Sequence, residues 1–142
     1  MADSPARTRA LRLLRGGAVG GGVVWLVCVA AFWLALGPAS LAWTVAGGAT
    51  VVAFFALGQL VQVLTAEADT IVVMVAALAS YAVRAGGLAV VLLLAQPLAS
   101  GPGAVALAPT MIAVVVGWLA TEIWTFTRLR VPVFDEAQGG RR

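Results

Sequence analysis

The sequence contains no histidine and no lysine, and its only cysteine is Cys28. Without histidine or a pair of cysteines, no ligand set for a zinc, haem or iron–sulfur site can be assembled. A single cysteine also excludes a disulfide bond within the chain, and its place in an apolar run favours a buried apolar side chain. No nucleophile–base pair is evident without histidine or lysine. We therefore expect no catalytic residue, no metal site and no cofactor, and we expect that the protein is not an enzyme.

Charge is also scarce. Charged residues make up 11% of the 142 residues, hydrophobic residues make up 62%, and the mean hydropathy is +1.03. A soluble domain is about half apolar and about a quarter charged. A chain of this length leaves much of its surface exposed, so the core of a water-soluble domain could not bury this many hydrophobic residues. The sequence therefore predicts a single domain that has the lipid bilayer as its solvent.

Long apolar runs cover most of the chain and predict helices over residues 16–36, 41–65, 70–95 and 104–127. Each run is about 21–26 residues long, which is enough to cross a hydrocarbon core of ~30 Å. A secretory signal is disfavoured because its apolar core has only ~7–15 residues. The runs do not alternate in polarity as barrel strands do, and an open sheet would leave unpaired backbone groups in lipid. The predicted fold class is an all-α membrane protein, a four-transmembrane-helix up-down bundle.

The charges that are present predict the topology. Eight of the nine basic residues are arginines near the two ends of the chain: Arg7, Arg9, Arg12, Arg15, Arg128, Arg130, Arg141 and Arg142. Such clusters beside apolar segments mark the cytoplasmic leaflet and its anionic lipids, and we favour this interpretation over nucleic-acid binding. We therefore expect a basic cytoplasmic segment at 1–15, a transmembrane domain at 16–127 and a cytoplasmic tail at 128–142. Ser40 and Asp69 stand where they would cap the second and third helices.

Small residues recur four positions apart in two of the predicted helices. A phosphate-binding loop is excluded for the glycine-rich stretch because it lacks the Lys-Ser/Thr ending and a preceding strand. The same spacing allows close approach of membrane helices. Either intramolecular packing or docking of another membrane subunit would use it, and we favour packing. The pairs are Gly16 with Gly20, Gly17 with Gly21 and, more loosely, Ala82 with Gly86.

Tryptophans mark the predicted membrane boundaries. Trp33 and Trp43 flank the first connection and Trp124 lies near the end of the fourth helix, so these three are expected to be interface anchors. Trp25 and Trp118 lie deeper and are expected to be packing residues.

Only two ionisable residues, Arg84 and Glu122, lie deep in the apolar runs. Each costs at least ~2.5–3.5 kcal/mol at the centre of a membrane helix, so each needs a partner. Side chains lean toward the N-terminus of their helix, which brings these two toward the same level. We predict a polar network of Arg84, Gln59 or Gln62, and Glu122. A structural clamp and a functional site are equally compatible with it.

Three segments carry a resemblance to a known family: Val51–Gly58 (VVAFFALG), Ala76–Arg84 (AALASYAVR) and the region from Gly117 to Glu136. Over residues 45–136 the chain resembles the ATP synthase protein I (AtpI) family, especially its actinobacterial members. The resemblance implies a multi-pass protein of the bacterial plasma membrane. It also implies an accessory role to the proton-transporting F-type ATP synthase, assisting assembly or stability of the ring of c subunits. Of the family's residues, Arg84 is carried over as the basic residue of the third helix.

Three functional hypotheses remain open at this point. The first is a non-enzymatic assembly factor that holds c subunits through its helix faces. The second is a small cation (magnesium) transporter or transporter subunit, which would rely on Glu67, Asp69 and Glu122. The third is a structural membrane protein with no connection to ATP synthase. The connection Ala66–Asp69 departs from the family pattern because it has no basic residue.

Overall fold

The computed structural model describes residues 5–128, which form four α-helices. Helix α1 is Pro5–Leu36, α2 is Leu41–Thr65, α3 is Thr70–Ala95 and α4 is Pro102–Arg128, with a short 3-10 turn at Pro38–Ser40. No strand occurs between residues 5 and 128. All four helices are long and apolar enough to cross a membrane. The predicted fold class is confirmed: the protein is an all-α, multi-pass four-helix bundle.

Two helices extend beyond their predicted bounds. Helix α1 begins at Pro5 rather than at residue 16, so most of the expected separate basic segment is helical. Its residues from Ala6 to Arg15 are mainly Ala, Leu and Arg, which are strong helix formers, and proline is favoured at a first helical position. Proline also starts α4, at Pro102 rather than at residue 104. Of the predicted tail 128–142, only Arg128 lies within the described residues.

The two expected capping side chains do not cap. Asp69 is the N-cap residue of α3, but its side chain makes no capping hydrogen bond, and its backbone carbonyl accepts from Val73 N at 3.0 Å. Ser40 precedes α2 and instead turns back toward α1. Its Oγ lies 3.0 Å from the carbonyl oxygen of Phe32 and 2.8 Å from that of Gly37, and it donates to these oxygens. Gly37 has φ 78°, which favours glycine at the chain reversal.

The helices are not equivalent in their packing. Helices α1, α2 and α4 pack against one another, and the contact between α1 and α4 is the most extensive. Helix α3 packs most closely against α2, and its Leu88, Leu92 and Ala95 are partly buried against the core. The buried apolar core accordingly lies mainly on α2 and α4, where Val51, Phe55, Val114 and Trp118 meet. Helix α3 buries only Ser80 and Arg84.

The glycine pairs of α1 face α4. A Cβ at Gly21 would lie 2.8 Å from Cε3 of Trp118, and Gly17 lies against the same indole. Gly20 faces Thr121, and Gly16 faces Thr125. The structure therefore uses both pairs for packing within the chain.

The third small-residue pair has no such role among the described residues. Ala82 is exposed, and a Cβ at Gly86 would meet nothing within 4 Å. This pair lies on the side of α3 that faces away from α2.

The tryptophans divide into exposed and packed groups. Trp33 and Trp124 are about half exposed near opposite ends of the bundle, and the Cζ of Arg128 lies 4.4 Å from the Trp124 ring centroid. Trp118 is fully buried, as expected of a packing residue. Trp43 differs from the expected anchor because it is partly buried and packs against Gly103.

Candidate intramembrane polar site

Arg84 lies near the middle of α3 and is only 2% exposed. At 1.5 Å per residue, it is about 21 Å from the start of the helix and about 17 Å from its end. A cationic side chain at this depth must find partners within the protein, because the bilayer offers none. Its surroundings therefore define the most unusual site in the described part of the chain.

Aromatic rings and a glycine surround the guanidinium. Its Cζ lies 5.1 Å from the ring centroid of Phe55 on α2 and 5.1 Å from that of Tyr81 on α3. The group also lies directly over Gly58, where a Cβ would be 2.6 Å from Cζ. Aromatic faces attract a cation by about 2 kcal/mol or more when water is excluded. They stabilise the charge, but they do not accept the planar fork of N–H groups as oxygens would.

The guanidinium is unmatched in hydrogen bonding. Within residues 5–128, Nε, Nη1 and Nη2 of Arg84 are buried and have no hydrogen-bond partner. Leaving a buried donor unpaired typically costs about 1–3 kcal/mol, and more for a charged group. The guanidinium of Arg84 therefore has N–H donors available for a hydrogen-bond acceptor.

Glu122 on α4 is bound by Gln59 on α2. The Nε2 of Gln59 donates a hydrogen bond to Oε1 of Glu122, and Gln59 is 1% exposed. The other oxygens, Oε1 of Gln59 and Oε2 of Glu122, are buried without a partner among the described side chains. This pair links α2 to α4 at the level where α3 contributes Arg84.

The structure brings together part of the predicted network. Gln59 and Glu122 are joined, whereas Arg84 is stacked on aromatic rings and donates no hydrogen bond within the described residues. Gln62 is half-buried, and among the described side chains only Gln59 is bonded to Glu122.

A cavity of about 280 Å³ opens beside Arg84, between α2 and α3. We call it the α2/α3 cavity. Ser80 lines this cavity, and its Oγ donates a hydrogen bond to the carbonyl oxygen of Gly58 at 3.2 Å. Arg84 is the only charged residue of its lining, which consists of Phe54, Leu57, Gly58, Val61, Ala76, Ala79, Ser80, Val83 and Arg84.

A second cavity, of about 300 Å³, is not lined by Arg84. Tyr81 and Glu122 line it together with Leu13 of α1. Tyr81 thus contacts the guanidinium of Arg84 and also lines this second cavity.

Four residues of the site were not predicted from the sequence: Phe55, Gly58, Ser80 and Tyr81. Tyr81 precedes Arg84 by three positions, a spacing that places side chains next to each other on a helix, so it was open to prediction. Phe55 and Gly58 lie on another helix, and nothing in the sequence indicates which face of α2 meets Arg84.

The carboxylates invoked for a cation site do not gather. Glu67 and Asp69 are exposed at the connection between α2 and α3, whereas Glu122 lies within α4 beside Gln59. In the part of the chain that the structure describes, no three Asp, Glu, Cys or His side chains are grouped so as to hold a metal ion.

No family model, curated protein or solved structure matches this chain.

Proposed function

We propose that this chain is a non-enzymatic accessory protein of the F-type ATP synthase in the bacterial plasma membrane, and that it holds c subunits during assembly or stabilisation of their ring. The observation that carries the proposal is the position of α3, which packs against α2 and leaves an apolar cavity open beside it. The resemblance of residues 45–136 to the ATP synthase protein I family supplies the identity of the partner.

The exposed surface of α3 is suited to contact with another helix. Val83 is 63% exposed at the edge of the α2/α3 cavity, and Leu57 of α2 is 62% exposed on the opposite edge. The small residues Ala76 and Ala79 line the same cavity and let a helix backbone approach closely. Helix association in lipid depends on such packing because the bilayer provides no hydrophobic drive between helices.

Co-purification tests the proposal. The tagged chain is extracted from native membranes in mild detergent, and c subunits are expected in the purified fraction. Ala79→Trp would fill the α2/α3 cavity and is expected to deplete the c subunits at least about tenfold, which corresponds to ~1.4 kcal/mol. Ala31→Trp, at an exposed position of α1, is the matched control and should leave recovery unchanged. Absence of c subunits from the unmodified chain would refute the proposal.

The magnesium-transport alternative has no geometric support. Mg²⁺ prefers six oxygen ligands in octahedral geometry, and the exposed pair Glu67 and Asp69 supplies two carboxylates at one end of the bundle. A deletion strain that needs added magnesium for growth, with ATP synthase rings intact, would favour transport over assembly.

A further inference from the structure

We infer that the α2/α3 cavity binds a carboxylate carried at mid-membrane depth by a transmembrane helix of the partner, with Arg84 as the residue that recognises it. The inference rests on the proposed function in one respect, the docking of a partner helix beside α3. It adds the chemistry of the contact.

Hydrogen-bond donors and acceptors are not paired around Arg84. Arg84 presents a guanidinium whose three nitrogens have no hydrogen-bond partner within residues 5–128. Oε1 of Glu122 accepts from Gln59 and the carbonyl oxygen of Gly58 accepts from Ser80, while Oε2 of Glu122 and Oε1 of Gln59 are buried and form no hydrogen bond with Arg84. The Phe55 and Tyr81 rings hold the charge in place without accepting from its N–H fork. An incoming carboxylate is the group that matches this fork, because it accepts two parallel hydrogen bonds from one guanidinium.

The depth of Arg84 along α3 determines which anions can reach it. Arg84 lies within about 2 Å of the midpoint of α3 along its axis. In a hydrocarbon core of ~30 Å, lipid headgroups begin about 15 Å from the centre, farther than an arginine side chain extends. A lipid phosphate is therefore out of reach, whereas a Glu or Asp at the middle of a membrane helix lies at the same level. The depth of Arg84 favours a helix-borne carboxylate over an anionic lipid.

The α2/α3 cavity has room for a side chain of a second helix. The cavity has a volume of about 280 Å³, which accommodates an acidic side chain. Ala76 and Ala79 line it with small side chains, so a second helix is able to come close enough for its own side chain to enter. Every described residue that lines this cavity belongs to α2 or α3, so neither α1 nor α4 closes it.

Synthetic helices test the inference directly. The full chain is placed in phosphatidylcholine nanodiscs, and association is followed by fluorescence transfer to Leu/Ala peptides of about 24 residues, long enough to span the bilayer. One peptide carries Glu at its centre, a second carries Gln there, and a third carries Glu two turns toward one end. We expect the central-Glu peptide to bind about tenfold more tightly than either of the others, equivalent to ~1.4 kcal/mol.

Substitutions assign the preference to Arg84. Arg84→Met is expected to abolish the difference between the Glu and Gln peptides while leaving binding of the Gln peptide unchanged. Arg84→Lys should keep part of the difference, because an ammonium retains the charge but lacks the fork. If Arg84→Met does not fold, the comparison of the three peptides on the unmodified chain still decides the matter.

Several outcomes would overturn the inference. Equal binding of the Glu and Gln peptides, or a Glu preference that persists in Arg84→Met, removes the role of Arg84. A preference that emerges only in Glu122→Gln assigns Arg84 to Glu122 instead. Loss of the preference on adding phosphatidylglycerol identifies an anionic lipid as the ligand. If neither peptide binds, docking beside α3 is itself refuted, whereas failed co-purification of c subunits with an intact Glu preference refutes only the proposed partner.

Discussion

At the scale of single residues, large side chains in this bundle lie on glycines of the neighbouring helix. The Arg84 guanidinium lies on Gly58, Trp118 on Gly17 and Gly21, Trp25 on Gly48 and Trp43 on Gly103. Each glycine lets a bulky group approach the backbone of another helix. In lipid, where association depends on van der Waals packing, such contacts contribute much of the stability.

Gly58 lies under the guanidinium of the candidate site, and Gly86 of α3 offers a control at an open helical position. Gly58→Ala would place its Cβ 2.6 Å from Cζ of Arg84, whereas a Cβ at Gly86 meets nothing within 4 Å. We expect Gly58→Ala to lower the free energy of unfolding by about 1–3 kcal/mol through overpacking. Gly86→Ala should be neutral or stabilising by up to ~1 kcal/mol through helix propensity. Unfolding in SDS followed by circular dichroism measures both, and equal effects would contradict the contact.

The hydrogen bond between Gln59 and Glu122 is a second prediction at this scale. A double-mutant cycle with Gln59→Leu and Glu122→Met isolates the interaction, because each substitution removes one partner at similar volume. Interhelical hydrogen bonds in membranes contribute ~0.6 kcal/mol on average and at most ~1.7 kcal/mol. We expect a coupling free energy of unfolding in this range. Strict additivity of the two substitutions would show that the bond contributes nothing.

At the scale of helices, α1 and α4 form the most extensive contact of the bundle. Gly21→Val is expected to separate them because its side chain would overlap the Trp118 indole, whereas the neighbouring Gly22 has open space. We predict a loss of about 1–3 kcal/mol in the free energy of unfolding for Gly21→Val. Gly22→Val is the control and should change it by less than ~1 kcal/mol. Circular dichroism during SDS titration measures both variants.

Much of this helix-level picture follows from the sequence, and the part that does not has a physical cause. Long apolar runs indicate where helices cross, so α2 and α3 stand where they were expected. Helical rise gives depth, which placed Glu122 near Gln59. The rotation of α3 about its own axis cannot be predicted from its sequence, because α3 is apolar on nearly every side and no face is marked as the buried one. The sequence therefore did not predict the position of α3 at the edge of the bundle or the stacking of Arg84 on Phe55.

At the scale of the whole molecule, the arginine distribution predicts the orientation of the bundle. Four candidate spans within residues 5–128 and arginines near both ends predict, by the positive-inside rule, that both termini lie in the cytoplasm. Alkaline phosphatase fused after Ser100 should be active because it is exported, whereas fusions at either terminus should be inactive. Green fluorescent protein fused at the termini should fluoresce. The reverse pattern would contradict the predicted topology.

The central claim is that a c subunit docks beside α3, and site-specific photo-crosslinking in living cells tests it most directly. A photoreactive amino acid replaces Val83, which is 63% exposed at the α2/α3 cavity, or Val27 of α1, which is 61% exposed elsewhere. The account predicts an adduct with the c subunit from position 83 and little or none from position 27. No adduct from position 83, or equal yields from the two positions, would contradict it.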